Sequence, residues 1–229
     1  MQSKIIGSVL PVLEVELQSG ESLVGVPEAL SWMAGGVTLH SSLGAGGSGG
    51  LFGLVSRAVS GGGLITTEFR ASEGAGLVGF AARLPGQIIE LDVSSSGYLV
   101  HRHGFLCGTS GIVVASGLQQ NLGAGVFGGE GFVLQKIEGS GKAFVELGGE
   151  IVKYDLAAGQ SIMVHPGHVG LFDQGVNFEM TSLRGIHSTF FASGDLFMAR
   201  LTGPGRVWLQ TLTLPGLAHS ISHYLPKQG

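Results

Sequence analysis

Three Gly-x-Gly steps, beginning at Gly74, Gly139 and Gly203, recur about 65 residues apart. Each lies between two runs of alternating apolar and polar residues: "TTEFRASEGAGLVGFA", "FVLQKIEGSGKAFVEL" and "LFMARLTGPGRVWLQTL". Tight reversals demand positive φ, which a residue without a Cβ adopts at little cost, so the three steps read as hairpin turns. A second pattern precedes them: "LQSGESLVGVP" from Leu17, "LPGQIIELDV" from Leu84 and "LAAGQSIMVHP" from Leu156. It places Gly20, Gly86 or Gly159 ahead of Glu or Gln and then an apolar strand. A chain punctuated in this way is a threefold repeat of strands, over approximately 13–80, 81–150 and 151–214.

The strands follow from period two. In "FVLQKIEG", Phe132 and Leu134, with Lys136, share one face, and Val133, Gln135 and Ile137 share the other. In "GRVWLQTLTL", Val207 and Leu209 alternate with Trp208 and Gln210. Apolar residues on both faces mark strands held between two layers or against a neighbouring subunit. Short strands with turn signals at close intervals define an all-β chain, a double-stranded β-helix or jelly-roll-like sandwich in a single domain over 1–214, with a polar tail over 215–229.

The glycines also spell a nucleotide fingerprint, G-x-G-x-x-G, in "GAGVFGGEG" from Gly123 to Gly131. That fingerprint holds a pyrophosphate when a strand enters it and a helix begins within it. Here a strand, "FVLQKIEG", follows instead, and Glu130 lies where the anion would sit. The glycines are read as backbone packing and turning, and no cofactor is expected.

Composition narrows the function classes. Charged residues make up 12% of the chain against roughly 25% in ordinary soluble domains. Such a surface is expected to be covered by other copies of the chain. The net charge is −4 with no basic cluster, which argues against nucleic acid. Cys107 is the single cysteine. Its apolar neighbours in "GFLCGTSG" make it a packed thiol that suits a reducing, cytoplasmic setting. No secretory leader pattern and no uninterrupted apolar run of membrane-spanning length are present.

The blocks "NLGAGVFGGEGFVLQKIEGSGKAFVELGG", "LAAGQSIMVHPGHV" and "LTGPGRVWLQTL" resemble the AIM24-type family, named for altered inheritance of mitochondria. The resemblance extends from about Leu13 to Leu214. It implies a double-stranded β-helix-like fold akin to that of the tryptophan RNA-binding attenuation protein, pseudo-threefold repeats and oligomeric assembly, from which a homotrimer is expected. In fungi the family is tied to mitochondrial inner-membrane organisation. It supplies no catalytic residue to carry over. The attenuation protein's RNA mode needs repeated basic edges, which this acidic chain lacks.

Histidine is the reactive residue with distinctive spacing. His101 and His103, in "YLVHRHGFL", lie two apart on an expected strand, and His165 and His168, in "VHPGHV", flank a turn at the equivalent place one repeat later. A cupin-like metalloenzyme would use such imidazoles with a carboxylate, but no acidic residue follows His103 before Glu130. His219 and His223 would share a helix face. Glu90 with Asp92, and Glu146 with Glu150, read as solvated strand positions, and no nucleophile elbow is present.

One segment breaks the β pattern: "LGAGGSGGLFGLVSRAVSGGGL", from Leu43 to Leu64. Leu51, Phe52, Leu54 and Val55, with Arg57 beside them, form an apolar centre between glycine flanks. That centre either folds back onto the core or contacts a protein partner or a membrane surface. The expectation is a non-enzymatic, self-associating β protein with a scaffolding role. The alternatives are a metalloenzyme on the histidines and a small-ligand carrier that uses the inside of the β-helix.

Overall fold

Alternating apolar residues form strands throughout the computed structural model, which describes residues 1–41, 66–120, 132–187, 195–222 and 224–225. In chain order these are β1 (Gln2–Ile6), β2 (Val12–Leu17), β3 (Ser22–Gly25), β4 (Leu30–Ser41), β5 (Thr67–Ala81), β6 (Gly86–Asp92), β7 (Tyr98–His101), β8 (Phe105–Thr109) and β9 (Ile112–Gln120). They continue with β10 (Phe132–Gly139), β11 (Lys142–Gly148), β12 (Ile151–Leu156), β13 (Ser161–Val164), β14 (Val169–Asp173), β15 (Asn177–His187), β16 (Asp195–Thr202) and β17 (Gly205–Gln210). The protein is all-β, and its strands wrap into a nearly closed, barrel-like arrangement.

The Gly-x-Gly steps are corners rather than hairpins. β10 and β11 flank Gly139–Gly141 but do not pair with each other. β10 pairs with β7 and β9, whereas β11 pairs with β6 and β8 in a different sheet. The same happens at Gly203–Gly205: β16 joins β13 and β15, and β17 joins β12 and β14. At Gly74 the chain stays within β5 but changes partner, from β3 along Thr67–Arg70 to β2 along Gly76–Ala81. Gly74, Gly139, Gly141 and Gly205 take φ of 107°, 107°, 125° and 145°. Gly203 has no such φ; a Cβ there would lie 2.5 Å from the carbonyl oxygens of Leu156 and Ala157, so close approach is what requires glycine.

The second sequence pattern divides in the same way. Gly20 and Gly159, at φ of 85° and 78°, form the β2–β3 and β12–β13 turns. Gly86 instead begins β6, and a Cβ there would sit 2.0 Å from the Leu147 carbonyl oxygen. The segment from Leu84 is therefore offset from the other two.

Three sheets result. The largest runs β1-β2-β5-β3-β8-β11-β6 with β4 also on β5, the second runs β12-β17-β14-β7-β10-β9, and the third runs β13-β16-β15. Between them lie two apolar clusters, one around Phe69, Phe80, Phe105 and Phe144, the other around Leu134, Val169, Phe172 and Val207. β10 and β17 serve both: Ile137 and Trp208 enter the first cluster, Leu134 and Val207 the second. β10 and β17 are thus apolar on both faces because each serves two clusters of the same chain.

Beyond β17 the expected polar tail begins as a helix, α1 (Leu214–Ser222). The Thr213 side-chain oxygen accepts from the Gly216 N–H at 3.1 Å, and its carbonyl accepts from Leu217 at 2.9 Å. His219 lies on this helix, while His223 lies outside the described residues.

Crowded corner glycines and those with open space around them should respond differently to substitution. A Cβ at Gly139 would meet the Gly111 carbonyl oxygen at 2.1 Å, whereas one at Gly74 meets nothing within 4 Å. Gly139→Val and Gly205→Val should each cost roughly 1–3 kcal/mol or more. Thermal unfolding should place Gly139→Ala below Gly74→Ala in melting temperature; the reverse order would contradict the corner geometry.

Candidate functional site

Chain links gather at one place on the β core and enclose a cavity of about 350 Å³. The β5–β6 link supplies Arg83 and Leu84, the β7–β8 link His101, Arg102 and His103, and the end of β11 Glu146, Leu147 and Gly148. The start of β10, the turn before β14 and the segment after β17 complete the walls. Each link is tightened locally. Gly104 donates to the His101 carbonyl at 2.8 Å, closing the β7–β8 turn. Pro166 opens the short 3-10 turn Pro166–His168, where its fixed φ suits the first position. Gly148 packs so closely that a Cβ would lie 2.6 Å from the Leu212 carbonyl oxygen.

The polar wall centres on Glu146. Arg83 donates its backbone N–H to Glu146 Oε2 at 3.0 Å, and its guanidinium pairs with Oε1. The same guanidinium donates to the His103 carbonyl oxygen. His101 donates from Nε2 to the Glu146 carbonyl oxygen at 3.0 Å. Burial pushes the His101 imidazole down to about 4, reinforced by His103 and Arg83 and opposed by the bond to Glu146. His103 is also held below the usual histidine range, by burial first and then by the guanidiniums of Arg83 and Arg102. The His101 ring is therefore neutral at pH 7.

A second group braces the adjoining wall. Gln210, buried in β17, accepts from the Gly148 N–H at 3.0 Å through Oε1 and donates to the Gly167 carbonyl at 3.0 Å through Nε2. His168 donates from Nδ1 to the Gln210 carbonyl at 2.8 Å. The rings of His165 and His168 meet edge to face at 5.7 Å, and burial and His168 lower the pKa of His165.

These positions revise the sequence reading of the histidines. His101 ends β7 and His103 falls in the following turn, so the two do not share a strand face. Both line the cavity, whereas the 165–168 turn contributes Pro166 and Gly167 to the wall and not its histidines. Among the described residues no group of three His, Cys, Asp or Glu side chains is placed to hold a metal ion, which removes the geometric support for the cupin-like reading. Cys107 is buried in β8, and burial raises its thiol far above the usual range, the state of an inert packed thiol.

Arg83, Arg102, Glu146 and Gln210 were not legible as site residues. A carboxylate between Val145 and Leu147 reads as a solvated position, yet only 12% of the Glu146 side chain is exposed. The signal lay in that placement, an acid inside an apolar strand. Arg206, in the "GPGRVW" block, proves structural: it pairs with Asp173 through Nε–Oδ2 at 2.8 Å and Nη2–Oδ1 at 2.9 Å, and it lies against Tyr98 and Trp208. Leu51, Phe52, Leu54, Val55 and Arg57, and the stretch from Gly123 to Gly131, lie outside the described residues.

Fold and site together define an all-β protein with a ligand-sized cavity where its strand links converge. The chain belongs to the mitochondrial biogenesis AIM24 family, whose model matches residues 3–212. It is 27% identical over 220 residues to an uncharacterized protein of Streptococcus pyogenes serotype M6, a match that spans 94% of this chain and 87% of that one. It is also similar in fold to a Streptococcus pyogenes protein solved by X-ray crystallography in a structural-genomics programme. That likeness has a TM-score of 0.78 at 22% identity and covers 98% of this chain and 99% of that one. Among the described residues no helix is long and apolar enough to cross a membrane.

His101 sets a pH dependence of stability. Its folded-state pKa of about 4 lies below the ordinary histidine value, so the unfolded chain takes up the proton first. Its contribution is complete above about pH 6.5 and is lost as pH falls toward 4, at about 1.4 kcal/mol per pH unit. Urea unfolding from pH 7 to 4.5 should show this slope in the wild type and a shallower one in His101→Gln; equal slopes would contradict it.

Proposed function

We propose that this chain is a non-enzymatic binding module whose cavity accepts a small, mainly apolar molecule. The observation that carries this reading is the lining. Leu84, Phe132, Val133, Leu147, Leu212 and Leu214 face a space of about 350 Å³, which falls within the range of small-molecule sites. Groups that would serve acid–base chemistry are already engaged: the Glu146 carboxylate by Arg83, and His101 by a backbone carbonyl. The expected carrier role moves from the inside of the β core, which Phe69, Phe80, Phe105, Phe144 and Phe172 fill, to this peripheral cavity.

The architecture proposed for the module is three units, over 13–80, 81–150 and 151–214. In support, each Gly-x-Gly corner passes a strand to a new partner, and the β3·β8 and β7·β14 pairings join one unit to the next. The double-stranded β-helix expectation is retained in this form. The scaffolding reading is favoured by a different observation. β4 pairs only with β5 and β13 only with β16 among the described strands. Apolar residues on them stay exposed, with Trp32 at 44%, Met33 at 45% and Met163 at 38%. Self-association, as a homotrimer in our proposal, would cover them. A cytoplasmic setting, and a contact of Leu51 and Phe52 with a membrane or protein partner, rest on the sequence alone.

The cavity is tested with 1-aminoanthracene, a neutral apolar fluorophore. Wild-type protein should enhance its emission with saturable, stoichiometric binding, and Val133→Trp should weaken binding at least tenfold with an unchanged melting temperature. Equal binding by the two proteins would overturn the assignment. Light scattering at micromolar concentration should give three times the chain mass, and a monomer would contradict the trimer.

A further inference from the structure

Resting on the self-association reading, we infer that copies of this chain join edge to edge: β13 of one copy pairs antiparallel with residues 30–34 of β4 in the next. Met163 then lies opposite Met33, and Val164 opposite Trp32. Register makes the first argument. Three strand pairs share one pattern, including the place where it shifts. Leu30, Phe105 and Val169 stand opposite Phe80, Val145 and Leu209, and the residue after each is skipped. Pairing resumes with Trp32, Cys107 and Leu171 opposite Gly79, Phe144 and Trp208. Residues 30–34 of β4 therefore hold the place that β8 and β14 hold elsewhere. On their other side β8 and β14 each receive a strand, with Gly25 of β3 opposite Cys107 and Val100 of β7 opposite Leu171. β13 is the counterpart of those two strands. Like Leu23 of β3, its Ile162 stands four residues before the proline of a 3-10 turn. Like Tyr98 of β7, Ile162 stands opposite the residue two before a corner glycine, Leu201 before Gly203 and Ile137 before Gly139. Among the described strands, β4 and β13 lack this neighbour.

Burial makes the second. The first four residues of β8 and of β14 are all buried, whereas Ser31, Trp32, Met33 and Ala34 are exposed. Met163 is exposed where its counterparts Val24 and Leu99 are half-buried. Neither edge carries the usual protection. β6 and β12, which end the two larger sheets, hold Glu90 with Asp92 and Lys153 with Asp155, charges that deter further pairing. Residues 30–34 and 161–164 hold no charge at all. The occupant follows from the edges themselves. Each copy offers one edge of either kind, so copies satisfy one another head to tail, a contact that closes into a ring when its rotation allows. A foreign strand would fill one edge and leave the other open.

Non-reducing gel electrophoresis of the oxidised Met33→Cys/Met163→Cys double variant tests this. Residues directly opposite in an antiparallel pair lie near enough for a disulfide, and the native Cys107 is buried. The double variant should run as two and three linked chains, while each single variant runs as one. Met163→Lys, which places a charge inside the junction, should lower the light-scattering mass to that of one chain with unchanged circular dichroism. That reading carries the test alone if the double variant does not fold. A disulfide formed within one chain would overturn the second copy as occupant. No disulfide, with wild type and Met163→Lys both scattering above one chain mass, would overturn these edges and leave self-association in place. A wild type that scatters as one chain would overturn both.

Discussion

A strand that turns a corner at a glycine cannot pair with its own continuation, and most of this architecture follows from that. At Gly139 and Gly205 the left-handed φ swings the chain from one sheet into another. Each half must then recruit partners from distant sequence, because a strand left without neighbours exposes its backbone donors and acceptors. The pairings β10·β7, β11·β6, β16·β15 and β17·β12 are what this recruitment produces. They also account for the unusual composition. With two apolar clusters shared by strands such as β10 and β17, few positions remain for charge.

The cavity is a consequence of the same arrangement. Because sheets exchange strands, the links that connect one set of strands to the next converge, and their side chains meet across long sequence separations. Arg83 reaches Glu146, and Gly148 reaches Gln210, over 63 and 62 residues respectively. The Gly148–Gln210 bond is buried, where an unmade partner is costly. The polar groups therefore hold the rim in shape while apolar side chains define its volume, a division of labour suited to binding.

Strand content was legible because period two is a local property: Phe132 and Leu134, and Val207 and Leu209, enter the core as alternation predicts. The corner glycines were legible as positions, yet their role was misread, since positive φ at Gly139 declares a change of direction and says nothing about which strand pairs next. The histidines illustrate the same limit. His101 keeps its place on the strand, but His103 falls in the turn because β7 ends one residue after Val100. Glu146 reads as a solvated position in the sequence because its counter-charge, Arg83, belongs to another link. Local pattern reports conformation, whereas the site is made by pairing between strands far apart in sequence.

Amide chemical-shift mapping of isotope-labelled protein titrated with 1-aminoanthracene would locate the binding site directly. The account predicts saturable shifts confined to residues 83–84, 101–104, 132–133, 146–148, 166–169 and 210–215, with the amides of Phe69 and Phe80 in the core unmoved. Shifts centred on the exposed edges of β4 and β13, or spread evenly over the core, would contradict it.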